Sequence, residues 1–168
     1  MATYKPTVSK AGSEKARKVS KVKAEKEYVQ TGIIFFGVEE RPENLMTPLE
    51  KMERVRYGLS KYDLVNLKSR TKLDYDMLSK ALSVTRATLI NKKGDQKFSS
   101  TLSERIIGLA DIYSYGYNVF QDESKFNQWM FSANQALGGK MPYDVIDNIY
   151  GREEVKNIIG RIDYGVYS

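Results

Sequence analysis

The last third of the sequence carries the clearest pattern of short helices separated by glycine and proline. Gly138 and Gly139 favour a break in the preceding helix. Pro142 is expected in the first turn of the next helix, where a backbone N–H would have no partner within the helix and its absence costs nothing. Gly151 is expected to close that helix in the left-handed conformation, and a second helix is predicted from about Arg152. Apolar residues recur in this second helix at intervals of three and four, as one buried face requires: Val155, Ile158, Ile159 and Ile162.

The residue types missing from the chain exclude several kinds of chemistry. Its 168 residues, enough for one core or two small ones, include no cysteine and no histidine. Disulfides, thiol catalysis and the commonest metal ligand and general base are therefore excluded, and we expect no metal and no cofactor. No apolar run approaches the roughly 20 residues of a membrane-spanning helix, and the basic N-terminus lacks the features of a signal peptide. The sequence predicts a soluble protein that stays in the cytoplasm.

Charge is unevenly distributed along the chain, which carries +6 in total. Basic side chains exceed acidic ones by five in residues 1–30 and again by five in residues 59–105. Acidic side chains prevail by one in residues 31–58 and by three in residues 106–168. A basic tail and middle suit a polyanion such as DNA, whereas an acidic, partly apolar final third suits a protein partner. The alternative interpretation of the positive charge in residues 59–105 is an ordinary solvent-exposed surface that binds no polyanion.

The N-terminal part of the chain is predicted to lie outside the main fold. Residues 1–27 are rich in lysine, serine and alanine and carry almost no large apolar side chains, so burial cannot offset the entropy of ordering them. They are predicted to be either a flexible N-terminal segment that promotes solubility or an electrostatic arm that contacts phosphates. Residues 31–38 (TGIIFFGV) are uncharged and β-prone, which predicts a short strand that packs on the body of the protein or pairs across a dimer.

Capping residues mark the predicted starts of four further helices. Thr47, followed by a proline, and Ser60 are expected to cap two successive helices. Thr101 with Glu104 three residues later has the pattern of a capping box for a long helix, and Asp122 is expected to cap the next one. Apolar residues at helical spacing in these last two helices predict a core or dimer seam: Leu102, Ile106, Leu109, Ala110, Tyr113, Tyr117, Phe120, Phe126, Trp129 and Met130.

Residues 73–94 (LDYDMLSKALSVTRATLINKKG) have the pattern of two short helices joined by a tight turn. A supporting helix is predicted over residues 76–82, a turn over residues 83–84, and a second helix over residues 85–93 with Thr85 as its cap. A shared apolar seam is expected to hold the two helices together, and it consists of Leu78, Ala81, Leu82, Val84, Leu89 and Ile90.

The C-terminal pattern resembles the toxin-binding domain of the Xre/MbcA/ParS-type antitoxins, which are partners of RES-domain toxins. The residues that carry the resemblance are Ala136, Leu137, Gly138, Gly139, Pro142, Val145, Ile146, Asp147, Gly151, Val155, Gly160, Arg161, Ile162 and Gly165. One departure is Asn148, where many relatives have a threonine that could cap a helix. The resemblance implies a toxin that consumes NAD or modifies proteins with it. It also implies a toxin-binding surface that includes Gly138, Gly139, Pro142, Asp147, Gly151, Arg161, Tyr164, Gly165, Tyr167 and Ser168.

Residues 73–94 are similar to the helix-turn-helix of the Xre class of DNA-binding proteins. The resemblance implies that the second helix reads DNA, with an interface formed by Thr85, Arg86, Ala87, Asn91, Lys92 and Lys93. In such an interface arginine reads guanine and asparagine reads adenine, whereas lysines at the helix end contact phosphates. Ser83 departs from relatives that carry glycine in the turn, so slight backbone strain is expected there. The alternative is an ordinary helical hairpin with solvated lysines.

These patterns together predict an all-α protein, apart from the short N-terminal strand. We expect a basic tail over residues 1–46, a helix-turn-helix module over residues 47–100 and a small helical toxin-binding module over residues 101–168. The leading interpretation is a type II antitoxin that neutralises a RES-domain toxin and represses its own operon. It is expected to form a homodimer, because operators are usually two-fold sites, and to assemble with the toxin into a hetero-oligomer.

Two other interpretations belong to different classes of protein. The first is a stand-alone transcriptional regulator whose C-terminal module dimerises or senses a small ligand. The second is an enzyme, which the sequence disfavours because it offers no constellation of catalytic groups. Its carboxylate pairs, such as Asp144 with Asp147, stand on helix surfaces at spacings that are common by chance.

Overall fold

The computed structural model describes residues 32–35 and 41–166, which form helices joined by short loops. The α-helices within those residues are α1 (Pro48–Tyr57), α2 (Lys61–Thr71), α3 (Tyr75–Ala81), α4 (Arg86–Ile90), α5 (Ser100–Phe120), α6 (Glu123–Met130), α7 (Pro142–Val145) and α8 (Ile149–Asp163). Short 3₁₀ turns precede α1 and α7, at Glu43–Leu45 and Gln135–Leu137. The prediction of an all-α fold is confirmed for the described residues. None of the helices among them is both long and apolar enough to cross a membrane.

Helix α5, which is 21 residues long, lies at the centre of the packing. The Glu43–Leu45 turn and α1 cover part of its surface, while α2, α6 and α8 cover other parts. The residues predicted as its core face are buried, except for Phe120, which is half-buried. The buried apolar residues form one continuous cluster from Ile33 to Ile159, and helices on both sides of residue 100 contribute to it.

An aromatic cluster fixes α6 against the C-terminal half of α5. The fully buried ring of Phe126 lies edge-on to Tyr113 and Tyr117, with centroid distances of 5.4 and 5.5 Å, and stacks on Trp129 at 5.6 Å. Gly116 permits this approach, because a Cβ atom there would lie 2.0 Å from Phe126 Cε2. Aromatic pairs in such geometries each contribute about 0.5–1.5 kcal/mol beyond the burial of their area. The cluster therefore sets the position of α6 relative to α5.

Three of the predicted helix caps are confirmed. Thr47 and Glu50 form a capping box at the start of α1, and Ser60 and Asp63 form another at the start of α2. The side chain of Asp122 accepts hydrogen bonds from two N–H groups in the first turn of α6. These caps satisfy backbone donors that a helix leaves unpaired at its start, which is why local sequence indicates them.

The cap predicted for α5 is wrong. Helix α5 is capped by Ser99, whose side chain accepts a hydrogen bond from the Leu102 N–H at 3.3 Å. Thr101 already lies inside the first turn, because the helix begins two residues earlier than predicted. Glu104 is therefore not part of a capping box, and its carboxylate lies 3.5 Å from the Arg152 guanidinium.

The apolar segment near the N-terminus is not a strand where the structure describes it. Residues 32–35 form a bend, and their last three amides converge on the buried carboxylate of Glu43 with N···O distances of 2.8, 2.6 and 3.1 Å. The strand prediction is wrong for these residues, because Glu43 takes the donors that a neighbouring strand would otherwise have used. The rest of the predicted strand and the predicted tail over residues 1–27 lie outside the described residues.

Candidate functional site

Gly138 and Gly139 stand in the loop between α6 and α7, directly after the 3₁₀ turn. Both have positive φ angles, 65° and 82°. The loop is bonded to itself, since the Asn134 side chain accepts from the Ala136 N–H and the Asn134 carbonyl accepts from the Gly139 N–H, each at 2.9 Å. A Cβ atom at either glycine would meet nothing within 4 Å, so the backbone conformation and not lack of space favours glycine here.

Gly151 lies in the first turn of α8, so the prediction that it ends a helix is wrong. Helix α8 begins at Ile149 rather than near Arg152, because Asn148 caps it by accepting from the Gly151 N–H at 3.1 Å. The amide therefore supplies the cap expected of a threonine hydroxyl. A Cβ atom on Gly151 would lie 1.6 Å from the carbonyl oxygen of Val145, so glycine is what allows the end of α7 to approach α8 this closely.

The corner formed by α7 and α8 packs against α3. Pro142 occupies the first position of α7, as predicted, and is buried. The Tyr143 hydroxyl donates to the Met77 carbonyl at 3.0 Å, and Lys80 Nζ lies 2.9 Å from Asp144 Oδ1. The hydrogen bond to Asp144 raises the pKa of Lys80, and burial raises the pKa of Tyr143. Both side chains therefore stay protonated at neutral pH, and the Lys80–Asp144 and Tyr143–Met77 contacts are retained there.

The turn between α3 and α4 contacts the same corner. Ser83, in this turn, has a φ of 50°, which agrees with the strain expected of a non-glycine residue at this position. Its hydroxyl donates to the backbone carbonyl of Asp147 at 2.8 Å, while the Asp147 side chain is exposed and accepts from the Asn148 amide at 2.9 Å. Arg105 holds the turn from α5 by donating to the carbonyls of Leu82 and Ser83 at 3.0 and 3.1 Å. Hydrogen bonds from two directions therefore fix the turn.

The other end of α8 carries the remaining predicted toxin-binding residues. Arg161 Nη2 donates to Glu154 Oε1 at 2.8 Å. Beyond the helix, the side chains of Tyr164 and Val166 are 83% and 57% exposed, and Gly165 between them has a φ of 69°. Two predicted residues lie outside those that the structure describes, Tyr167 and Ser168.

The predicted toxin-binding residues are thus divided between the two ends of α8, which are about 20 Å apart along a 15-residue helix. Pro142, Asp147 and Gly151 lie at its start, whereas Arg161, Tyr164 and Gly165 lie at its end. The loop that carries Gly138 and Gly139 borders the end of α8, and a pocket of about 510 Å³ separates them. The pocket is lined by Phe120, Trp129, Asn134, Gln135, Ala136, Ile158, Arg161, Ile162 and Val166.

Helix α4 is shorter than predicted. It spans Arg86–Ile90 with Asn91 as its C-cap, so the prediction of a helix through residue 93 is wrong at its end. The chain turns there because Gly94 has a φ of 53° and the Lys93 N–H donates to the Gln96 side chain at 3.1 Å. The two predicted phosphate-binding lysines, Lys92 among them, therefore stand in a loop beyond the helix.

The predicted DNA-binding residues lie near one another but do not all line one groove. Thr85 caps α4, as predicted, by accepting from the Thr88 N–H at 3.2 Å. Arg86 is directed towards Asp76 on α3, with 3.5 Å between Nε and Oδ1, and both side chains are exposed. A shallow groove beside α4 is lined by Thr85, Ala87, Thr88, Asn91, Lys92 and Gln96. Arg86 and Lys93 lie outside this lining.

Besides Glu43, two further buried charged residues were not identified from the sequence. Asp111 on α5 binds Lys51 of α1 at 2.8 Å and Lys156 of α8 at 2.6 Å, which joins three helices. Arg152 is 8% exposed beside Glu104, and burial lowers its pKa. Spacing could not reveal these pairs, because the partners are far apart in the chain. The available indication was an aspartate inside the apolar run LADIY. Within the described residues, no cluster of three or more acidic, histidine or cysteine side chains is placed to hold a metal ion.

Comparison with known proteins identifies the C-terminal part of the chain. Residues 116–165 match the family model described as "Antitoxin Xre/MbcA/ParS C-terminal toxin-binding domain". This range contains the end of α5, all of α6, α7 and α8, and the first residues of the turn that follows α8. The matched segment includes the loop with the two glycines, the α7–α8 corner and most of the pocket lining.

Curated relatives of the chain are antitoxins by name. The "Prs ADP-ribosylating antitoxin" of Sphingobium sp. is 24% identical over 133 residues, which cover 73% of this chain and 83% of that protein. The "Antitoxin Xre" of Photorhabdus laumondii is 33% identical over 76 residues, 45% of this chain and 51% of that protein. The "Antitoxin Xre" of Yersinia enterocolitica is 28% identical over 85 residues, 50% of this chain and 57% of that protein. Residues 116–165 thus match the toxin-binding domain of the Xre/MbcA/ParS-type antitoxins, and the relatives that align with larger parts of the chain are antitoxins by name.

Proposed function

We propose that this chain is a type II antitoxin that neutralises a RES-domain toxin through residues 101–168 and represses its own operon through α3 and α4. The observation that carries the first part is the group of exposed apolar side chains at the end of α8. Tyr164 and Val166 are largely in water at the edge of the segment that matches a toxin-binding domain. Exposed apolar side chains next to a lined pocket indicate a surface that a partner covers.

The end of α8 also has a shape suited to entering a cleft in the toxin. Gly165 turns the chain beyond the helix and carries no side chain, so another backbone can approach it closely. Tyrosine supplies a rigid aromatic area with a polar tip. In this proposal the last helical turn, with Tyr167 and Ser168 beyond it, occupies or occludes the NAD-binding cleft of the toxin. The name of the Sphingobium relative refers to ADP-ribosylation, which uses NAD and supports a toxin with NAD chemistry.

Repression of the operon is proposed from α4 and the charge around it. Thr85, Ala87 and Asn91 line an open groove at α4, and residues 59–105 carry five more basic than acidic side chains. The contact of Arg86 with Asp76 joins two exposed side chains, and such pairs contribute only about 0–1 kcal/mol. Arg86 can therefore exchange Asp76 for a base edge at low cost.

The assembly follows from the symmetry of operators. A homodimer presents two copies of α4 to a two-fold DNA site, and each copy carries its own toxin-binding domain, which gives a hetero-oligomer with the toxin. In this role the chain acts in the cytoplasm by binding, and we assign it no catalytic residue.

Co-expression tests the toxin part of the proposal. The RES-domain protein encoded in the neighbouring reading frame is produced with the wild-type chain, with Tyr164→Asp, or with Tyr62→Asp as a matched control, because Tyr62 is an exposed tyrosine on α2. We expect the wild type and Tyr62→Asp to copurify with the toxin and to preserve cellular NAD, and Tyr164→Asp to fail in one or both. A neighbouring frame without a RES-domain protein, or a toxin that never binds the wild-type chain, would overturn this part.

A further inference from the structure

The pocket between α6, the loop that follows it and α8 has an apolar interior. Phe120 and Trp129 form an aromatic wall with ring centroids 5.5 Å apart, and Ile158 contributes a buried part of the lining. Ala136 stands at the exposed rim. The volume of about 510 Å³ lies within the range of about 300–1,000 Å³ that is typical of ligand sites. The pocket is therefore large enough to receive a group from another molecule.

Two polar side chains of the lining, those of Asn134 and Arg161, already make hydrogen bonds within the chain. The Asn134 side chain accepts from the Ala136 N–H at 2.9 Å, and Arg161 donates to Glu154 at 2.8 Å. A polar ligand would have to displace these contacts, and each hydrogen bond contributes about 0.5–1.5 kcal/mol. The lining therefore favours an apolar group over a small polar ligand.

The position of the pocket indicates which molecule supplies that group. All of its lining residues except Val166 lie within residues 116–165, the segment that matches a toxin-binding domain. The exposed side chains of Val166 and Tyr164 extend the same apolar surface beyond the end of α8. The pocket is thus continuous with the surface that we assign to the toxin.

We infer that this pocket receives an apolar side chain of the toxin, aliphatic or aromatic, and anchors the interface there. Desolvated pockets with aromatic walls are the places where binding energy concentrates in protein interfaces. Resting on the proposed toxin-binding function, this anchor adds a second contact on the antitoxin, separate from the segment that enters the cleft. The loop that carries Gly138 and Gly139 supplies Asn134, Gln135 and Ala136 to the lining, so the anchor would also bring this loop close to the toxin.

The position of the single tryptophan allows a direct test. Trp129 is the only tryptophan of the chain and lies in the pocket wall, so fluorotryptophan labelling gives one fluorine resonance at the site. The probe is the purified, unlabelled RES-domain toxin from the neighbouring reading frame. Addition of toxin should shift this resonance and protect it from broadening by a soluble gadolinium chelate. Dilution of the antitoxin alone should leave the resonance unchanged, since a dependence on dilution would assign the pocket to a second copy and overturn the inference.

A pair of variants tests the same anchor by affinity. Ala136→Phe places a ring at the rim of the pocket, whereas Ala133→Phe places the same ring at an exposed position outside the lining. We expect Ala136→Phe to weaken toxin binding by at least about tenfold and Ala133→Phe to change it by less than about twofold. Circular dichroism of both variants checks their folding, and the fluorine experiment on the wild-type chain decides the question if Ala136→Phe does not fold.

The outcomes separate this inference from the proposed function. If the toxin binds the wild-type chain but leaves the Trp129 resonance unchanged, or binds both alanine variants equally, the anchor is wrong and toxin binding stands. If the toxin does not bind the wild-type chain at all, the proposed function fails and the anchor fails with it.

Discussion

The hydroxyl of Ser83 donates a 2.8 Å hydrogen bond to the backbone carbonyl of Asp147, which joins the turn between α3 and α4 to the start of α8. Arg105 holds the same turn from the side of α5. The surface proposed for DNA and the surface proposed for the toxin are therefore parts of one packed body. Because Ser83 has both a positive φ and this contact, substitutions there can separate the strain of the turn from the strength of the hydrogen bond.

Two replacements of Ser83 have different expected effects on stability. Ser83→Ala removes the hydrogen bond and keeps the positive φ, so the free energy of unfolding should fall by about 1 kcal/mol. Ser83→Gly removes the same bond but relieves the left-handed conformation, which costs a non-glycine residue about 1–2 kcal/mol. The glycine variant should therefore be more stable than the alanine variant by about 1 kcal/mol in urea unfolding. Equal midpoints would show that the turn carries no strain.

Two glycines of α8 give a matched pair with opposite expected effects. Gly151→Ala places a Cβ atom 1.6 Å from the Val145 carbonyl oxygen, so α7 must move and stability should fall by about 3 kcal/mol or more. Gly160→Ala meets only the Tyr115 hydroxyl at 3.4 Å and should raise stability by up to about 1 kcal/mol through helix propensity. Thermal unfolding of both variants measures the difference. The prediction fails for Gly151 if both variants unfold at the same temperature.

DNA binding should distinguish base readout from phosphate attraction. Arg86→Ala is expected to cost about 1–3 kcal/mol of binding free energy on the operator and to relax the preference at one base pair, whereas Lys93→Ala should weaken binding to all sequences alike. Fluorescence anisotropy with operator and scrambled duplexes measures both effects. If the two variants weaken every duplex by the same factor, Arg86 does not reach a base edge.

Stability should depend on the ionisation of Glu43. Burial raises the pKa of this carboxyl above its ordinary value of 4.5, and the hydrogen bonds from residues 33–35 oppose the shift only in part. The folded chain then binds the proton more tightly than the unfolded chain, so stability falls as pH rises from 4.5 through the folded-state pKa. Glu43→Gln lacks this titration. The unfolding free energy of the wild type minus that of the variant should therefore decrease as pH rises, and an increase would contradict the raised pKa.

Inhibition should depend on the segment beyond α8 more than complex formation does. Removal of residues 165–168, or a bulky tag after Ser168, should leave the toxin bound through the pocket and the α7–α8 corner while NAD consumption resumes. Pull-down and NAD assays on the same preparations measure the two properties separately. Full inhibition by both altered chains would place neutralisation on the surface between Gly138 and Gly151.

Helix starts could be predicted from the sequence where the physical cause is local. Thr47 and Ser60 each stand three residues before the carboxylate that completes a capping box, so neighbouring residues contain the whole interaction. The prediction for α5 failed within the run SSTLS, because several hydroxyl residues in a row offer competing caps and Ser99 is the one used. The all-α class followed from the same local patterns and from the helical spacing of apolar residues.

Features decided by contact between helices could not be predicted in this way. The sequence does not distinguish a glycine that ends a helix from a glycine that allows a neighbouring carbonyl to approach. Gly151 allows such an approach, because the Val145 carbonyl packs against it. The pocket at Trp129 was likewise not predicted, because its lining comes from α5, α6, the following loop and α8. The predicted toxin-binding residues were named from a resemblance, which did not indicate that they are divided between the two ends of α8.

The pairing of Asp111 with Lys51 and Lys156 has a consequence for how the protein is degraded. The Asp111 carboxylate on α5 pairs with Lys51 on α1 and with Lys156 on α8, and α1 also packs against α5. Proteolytic cleavage within residues 47–100 is therefore expected to disrupt the packing of the N-terminal helices on α5 and to expose apolar side chains to water. We expect such a cut to abolish the proposed repression and toxin neutralisation together, so that neither activity persists after the other is lost.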